Sequence, residues 1–309
     1  MRDLTPPVLP FRAMSATSEA PAAYRNTADD PGAIGLIREA IADVRSRRRL
    51  VRYLVAADMH KRGADTLLGN LWWVIDPLLQ MVVYVVLVTL ISRGQNIEHY
   101  PLFIFAAILP WKWFSASVTD ATTSVTSQDR LIKQIQFPKI VLPVAATSAG
   151  VVGFAFGLIP LAAIILISLG SFSPFLLFLP VIAAVQFLFT LAFALFMAAG
   201  NVFFRDLGNV SRHLLRLWFY LSPALYSLAV LDEVRLLDQF PILRVLLQLN
   251  PFAILFEAYR AVIWGVPGDI SPRLPDLSGL GLLAVGSLVF LAVATVVFKR
   301  LEPKFAKVL

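Results

Sequence analysis

The sequence has no cysteine in 309 residues, which excludes a disulfide scaffold, a cysteine zinc site and a thiol nucleophile. Histidine is nearly as scarce. His60, His99 and His213 lie far apart, and none forms a His-x-x-Glu or Glu-x-x-His pair, so no metal site is expected. No Gly-x-x-x-x-Gly-Lys-Ser/Thr segment is present, so the chain carries no P-loop of its own. Charge is thin as well: 15% of residues are charged, against roughly 25% in an ordinary soluble domain. What fills the chain instead is apolar, with 58% hydrophobic residues and a mean hydropathy of +0.74. A folded chain of this length still exposes much of its surface, so such an excess cannot all be hidden in a core. The bilayer has to be the missing solvent. The net charge of +7 is then better read as a topology signal than as affinity for nucleic acid.

A helix needs about 20 mostly apolar residues to cross the hydrocarbon. Six segments qualify: 71–92, 101–124 (interrupted by Pro110), 140–169, 174–200, 214–231 (with Pro223 in its middle) and 280–298. None repeats another, which argues against an inverted-repeat secondary transporter. Lys and Arg set the orientation. Arg45, Arg47, Arg48, Arg49, Arg52, Lys61 and Arg62 precede the first span, and Arg130, Lys133 and Lys139 lie between the second and third. Arg205 and Arg212 lie between the fourth and fifth, and Lys299, Arg300, Lys304 and Lys307 follow the sixth. The alternate loops are poor in basic residues: Arg93 alone, then no charge over 170–173, then four arginines against six acids over 232–278. By the positive-inside rule this predicts an all-helical, six-span, multi-pass protein with both ends cytoplasmic.

Three segments are not simple spans. Residues 1–33 hold several prolines and no apolar signal region, and read as a disordered cytoplasmic tail rather than a signal peptide. Over residues 34–65, Ile34, Ile37, Ile41, Val44, Val51, Leu54, Val55 and Met59 recur mostly at gaps of three and four. That spacing predicts an amphipathic helix on the membrane interface. It is read either as an anchor on anionic lipid or as a lateral gate for a charged lipid head group. The transmembrane domain then occupies 66–309. Within it, the loop 127–143 puts Leu131, Ile132, Ile135 and Phe137 among Arg130, Lys133 and Lys139. An apolar patch of this kind predicts a docking surface for a cytoplasmic partner, or else a cap folded back on the membrane, its helix broken before Pro138. The external segment 232–278 holds two short apolar stretches, 242–249 and 252–266, separated by Asn250-Pro251. Each is too short to span easily, so re-entrant or interfacial helices are expected there. Glu257 and Arg260 are spaced to pair on one face.

Ionisable residues inside spans are functional candidates by default. Lys112 lies between Trp111 and Trp113, Asp76 precedes Pro77, and Asp120 closes the second span. Each also has a plain reading, snorkelling for Lys112 and internal pairing for the acids. Of 36 aromatics, those with polar neighbours (Trp111, Trp113, Trp218, Tyr220 and Tyr226) are the candidate stacking faces of a channel.

Five segments carry a family likeness. HKRGADTLLGNLWWVIDPLLQMVVY resembles the start of the first span in the permease subunits of type-two ABC exporters for polysaccharide, through Leu68, Gly69, Leu71, Trp72, Pro77 and Leu78. YPLFIFAAILPWKWFSASV, DRLIKQIQFPKIVLPV, NVFFRDLGNV and LNPFAILFEAYRAVIWG resemble later motifs of that family, in order, over about residues 50 to 300. The family's second basic residue after Lys133 is Gln134 here, which removes one charge from the loop.

The resemblance implies the membrane half of an exporter for lipid-linked glycans such as O-antigen, capsule, teichoic acid or galactan, in a bacterial inner membrane. It implies a homodimer above two copies of a separate ATPase subunit, with ATP and Mg held there and no cofactor or catalytic site on this chain. Arg130, Leu131, Ile132, Lys133, Gln134, Ile135, Phe137 and Pro138 would couple to the ATPase. Arg52, Lys61 and Arg62 would meet the lipid pyrophosphate at the gate, and Asn250, Pro251, Glu257 and Arg260 would belong to an external gate. The alternatives are a type-two exporter of a lipid or drug and a single-chain lipid-linked sugar flippase. A membrane-embedded transferase would need a clustered Asp/Glu/His site, and no such cluster is found.

Overall fold

The structure is a computed structural model that describes residues 31–63, 66–91, 97–134, 137–227, 247, 249–266 and 268–309. The tail expected over 1–33 therefore falls almost wholly outside the described residues. Apart from one bridge between Val266 and Asp269, the described secondary structure is helical. Among the described residues, five helical segments are long and apolar enough to cross a membrane: Trp72–Leu90, Tyr100–Ser124, Val141–Leu169, Pro174–Phe203 and Leu277–Val308.

The amphipathic segment forms two helices rather than one, α1 (Ala33–Ser46) and α2 (Arg48–Gly63), with a turn at Arg47. The break falls in the run Arg45–Arg49. Like charges crowd one another there, although helical backbone bonds continue across the turn, from the Arg47 N–H to the Asp43 carbonyl at 3.1 Å and from the Val51 N–H to the Arg47 carbonyl at 3.0 Å. After a 3₁₀ turn, α3 (Trp72–Ile91) and α4 (Tyr100–Ser124) form the first hairpin.

The helix α4 is the hub. Its most apolar stretch is 78% buried, against 6% for α3, so α3 turns its Val/Leu surface outward while α4 is covered except along the face that carries Lys112, Ala116 and Asp120. It packs against α3, α6 (Val141–Leu169), α7 (Leu179–Phe203) and α8 (Leu207–Leu221). Glycine lets α6 approach: a Cβ at Gly157 would stand 2.1 Å from a Leu109 methyl, and one at Gly150 would stand 2.0 Å from the Ser117 hydroxyl. Gln186 of α7 is fully buried and donates to the Pro110 carbonyl at 2.8 Å, a polar cross-link worth making where water is absent.

Side-chain contacts identify the two ends of the bundle. At one end, Asn201 at the close of α7 donates to Thr126 at 3.2 Å and accepts from the Gly208 N–H at 2.9 Å. The same end gathers α1, the short helix α5 (Asp129–Gln134) and the last turns of α10 (Leu277–Val308). Lys299, 4% exposed, joins them through Glu39 at 3.0 Å, Asp43 at 2.8 Å and Glu302 at 2.7 Å. Glu302 also accepts the backbone N–H of Lys139, and Lys133 Nζ reaches the Leu309 carbonyl at 2.8 Å.

At the other end, α9 (Pro251–Ile263) starts on an Asn250 cap whose side chain accepts the Phe252 N–H at 3.0 Å, with Pro251 in the first turn. Arg260 of α9 is 1% exposed. It donates to the carbonyls of Phe103 (3.3 Å), Pro223 (2.7 Å) and Ala224 (2.7 Å), and its guanidinium lies 3.6 Å above the Phe103 ring.

The fifth apolar segment is displaced from its expected bounds. The helix α8 begins at Leu207 and ends at Leu221, because Pro223 holds Ser222 extended (φ −90°, ψ 151°). At 15 residues, about 22 Å, it is shorter than the hydrocarbon core by itself. Yet it starts beside Asn201, and the turn after it meets the far end, where the Tyr100 hydroxyl donates to the Leu225 carbonyl at 3.0 Å. Residues 207–225 thus carry the chain from one end of the bundle to the other. Residues 228–231 lie outside the described ones, as do 242–246 and 248 of the expected first external stretch.

Replacing Arg260 with Met would take the Arg260 donors from the Pro223 and Ala224 carbonyls, while the Phe103 carbonyl keeps its bond within α4. Loss of about 3 kcal/mol or more is expected, read as a lowered midpoint of thermal unfolding in detergent. Glu257→Gln, at a partly exposed site 3.5 Å from Arg260, should cost under about 1 kcal/mol.

Candidate functional site

A cavity of about 660 Å³ opens between α3, α4, α6 and α8, with Arg62 of α2 at its margin. Its walls follow from helical spacing. Asp76, Gln80 and Tyr84 recur every four residues on α3, as do Arg212, Arg216 and Tyr220 on α8, so each helix presents one polar stripe. From α4 come Trp111, Lys112, Trp113, Thr119 and Asp120; α6 contributes Gly150, Gly153 and Phe154. Glycine at 150 and 153 leaves the indole rings of Trp113 and Trp73 room against the α6 backbone.

Two ion pairs span the cleft. Lys112 binds Asp76, bridging α4 and α3. Arg62 binds Asp58 within α2 at 2.8 Å and Asp120 on α4 at 2.5 Å, which fastens the end of the interface helix to the cleft. Burial alone would lower the Arg62 pKa, but the Asp120 and Asp58 carboxylates outweigh it and hold the guanidinium above its ordinary value. The Tyr84 and Tyr220 hydroxyls meet at 3.5 Å. Aromatic faces, hydroxyls and fixed charges in one groove suit a hydrated, polar cargo far better than a small desolvated ion.

Of the expected channel residues, Trp111, Lys112, Trp113 and Tyr220 line this cavity. Trp111 and Trp113 are themselves buried, at 5% and 4% exposure. Trp111 belongs to an aromatic cluster in which its ring lies 4.7 Å from Phe252. Trp218 and Tyr226 do not line the cavity. Trp218 joins the cluster and donates to Asn250 at 3.1 Å, and the Tyr226 hydroxyl turns back to the Leu221 carbonyl at 3.3 Å. Of the three gate candidates Arg62 reaches the cleft, whereas Arg52 and Lys61 are exposed on α2 outside it. Arg260 and Glu257 do pair, at 3.5 Å, but Arg260 is clamped on backbone carbonyls and faces no opening.

In the coupling segment the helix stops at Gln134, ahead of Pro138. Ile132 is buried in a cluster with Val125, Ile140, Phe298 and Phe305, and Phe137 packs against the same cluster. Lys133 and Gln134 are exposed. Ile135 lies outside the described residues, and for Arg130 and Leu131 only the backbone is described. Among the side chains described on α5, Ile132 turns inward and Lys133 and Gln134 face outward.

Arg212 and Arg216 escaped the reading of the sequence. A span begun at residue 214 puts one in the loop and the other at the lip. The recoverable signal was the Arg212–Arg216–Tyr220 spacing beside two apolar faces.

This fold and polar cleft are those of a multi-pass membrane component, and the comparison with known families agrees. The ABC-2 type transporter family matches residues 49–264, and the chain belongs to it. Over 261 residues, 84% of this chain and 95% of the relative, it is 34% identical to the O-antigen export system permease protein RfbA of Myxococcus xanthus. Two proteins of the same description from Klebsiella pneumoniae are 24% identical over 253 residues and 27% identical over 255. Each of those matches covers 82% of this chain and 92% of the relative.

Exchanging the charges of the Lys112 pair tests whether the cleft needs the pair or only its fold. The Lys112 side chain is 27% exposed and that of Asp76 64%, so K112D, which sets two carboxylates side by side, should cost about 1–3 kcal/mol of stability while transport falls. The double exchange D76K/K112D should recover export in part, measured as surface product per cell against protein level.

Proposed function

We propose that the chain is the membrane subunit of an ATP-driven exporter that moves polysaccharide, linked to a polyprenyl-pyrophosphate lipid, out of the cytoplasm across a bacterial inner membrane. The observation that carries this reading is the cleft itself, where tryptophan and tyrosine side chains share the walls with Arg62, Lys112, Arg212 and Arg216. Its chemistry fits a sugar chain on an anionic lipid, and the relatives named above are O-antigen export permeases. A sugar chain stacks on aromatic rings, and phosphate groups need cations where they leave water.

In this reading the chain crosses the membrane six times with both ends in the cytoplasm. Support comes from residues 207–225, which join the two ends of the bundle, and from α1, Lys133 and the end of α10 meeting at one end. The basic residues Lys133, Lys139 and Lys299 gather there too, as the cytoplasmic side requires. Two copies pair to enclose the path. Two ATPase subunits sit beneath, holding ATP and Mg, and act on α5 and the loop after it. Because Glu302 holds the Lys139 N–H and Lys299 holds α1, a push on that loop is passed to the interface helix and to α10 together. The lipid pyrophosphate enters laterally beside α2, whose Arg62 is already fastened to Asp120.

Purification of the tagged chain from its native host in mild detergent should bring down a stoichiometric, nucleotide-hydrolysing partner. K133E/Q134E, on the outward side of α5, should lower co-purified ATPase activity at least tenfold while the chain keeps its elution volume. A monodisperse chain with no ATPase partner would overturn the proposal in favour of a single-chain flippase.

A further inference from the structure

The charges of the cleft do not balance. Four cations, Arg62, Lys112, Arg212 and Arg216, share it with two acids, Asp76 and Asp120. Both acids are engaged, Asp76 by Lys112 and Asp120 by Arg62. Arg212 donates to the neutral side chain of Asn209, Arg216 lies near Tyr84, and neither has a carboxylate partner among the described residues. Two positive charges are therefore left over in one groove.

Their place on α8 makes the excess costly. The helix has three sectors. Ser211, Leu215 and Phe219 are buried, and Leu214, Leu217 and Leu221 form an exposed apolar face. The third sector points Arg212 and Arg216 into the cleft. Arg212 is close enough to the start of α8 to be hydrated from the bundle end. Arg216 is about 14 Å along the helix from Leu207, level with a tyrosine about 18 Å into α3. An unneutralised arginine at that depth calls for an anion or a wet cavity beside it. The cleft supplies the space, and nothing described in the chain supplies the anion.

We propose that Arg212 and Arg216 form an anion subsite of the cleft that takes a phosphate or pyrophosphate ester on a lipid tail. Side chains one turn apart stand about 6 Å from each other, so two guanidinium forks can grip one pyrophosphate from adjacent oxygens. The subsite is separate from the exposed Arg52 and Lys61 on α2, and it places the anion deeper than the interface. It rests on the exporter reading only for what the anion is attached to.

The test uses the chain with its co-purified ATPase subunit in phosphatidylcholine nanodiscs, and the probe is farnesyl pyrophosphate. R212Q and R216Q should each weaken probe binding by roughly tenfold or more. R216K should lose less, because a point charge survives without the fork. Both side chains face open space, so the variants should keep the elution volume and unfolding midpoint of the parent. An R212Q/R216Q variant that binds the probe with the parent's affinity overturns the subsite. So does one whose two copies fall apart, since the arginines would then serve an interface.

Nanodiscs of phosphatidylglycerol separate the two sources of the anion. Displacement of the probe in the parent assigns the subsite to a phospholipid head group, and persistence assigns it to a pyrophosphate-linked lipid. Surface glycan, read independently, keeps the two proposals apart. Intact export with unchanged probe binding in R212Q/R216Q sinks the subsite alone. Arginine-dependent probe binding in a chain that exports no glycan sinks the exporter reading alone.

Discussion

A charge taken into hydrocarbon must bring a partner or keep its water, and the arrangement of this molecule follows from that requirement. Lys299 shows the first solution. It lies near the end of an apolar helix, almost wholly buried, and three carboxylates from two helices close around it. Arg260 shows a second, in which backbone carbonyls at the turn around Pro223 satisfy the donors of a buried guanidinium and Glu257 stands 3.5 Å away as its counter-charge. The cleft shows the third. There the polar stripes of α3 and α8 face a common space, and the apolar stripes face away.

These three solutions divide the labour of the fold. The Lys299 network joins α1, the loop at Lys139 and the end of α10 at one end of the bundle. The Arg260 clamp joins α4, α9 and the turn after α8 at the other. Between them α4, buried on all but its cleft face, is the post against which the cleft helices lean. The short helix α5 is tied to the end of α10 through Lys133 and Leu309, while the far end is held by bonds that a single side chain makes to two segments of backbone.

How much of this was legible in the chain depended on whether the signal was local. The spans at 71–92, 101–124, 140–169, 174–200 and 280–298 were read from apolar runs of sufficient length, and helices stand at each. The segment 214–231 misled because its apolar run continues through Pro223, while the helix it belongs to starts in the polar stretch at Leu207. The interface segment read as one periodic face because period counting is blind to a one-residue turn at Arg47. Glu257 and Arg260 were matched from their spacing, since a pair three residues apart on a helix needs no tertiary information. Asp76 with Lys112 and Asp120 with Arg62 were not, because 36 and 58 residues separate the partners.

The residues by themselves determined that this chain lives in a bilayer, where its apolar helices lie and which loops carry its basic charge, because hydrophobic length and charge are properties of contiguous sequence. They also carried enough ordered motifs to place the chain in its family. Which charges neutralise one another was decided only by the tertiary structure. It packed Trp218 against one buried cluster, set Ile132 inside another, turned Lys133 and Gln134 outward, and left Arg212 and Arg216 facing a cleft without acids to spare. The reason is that an ion pair across helices depends on which faces the packing brings together, and that packing is set by glycines and bulky side chains far from the charges themselves.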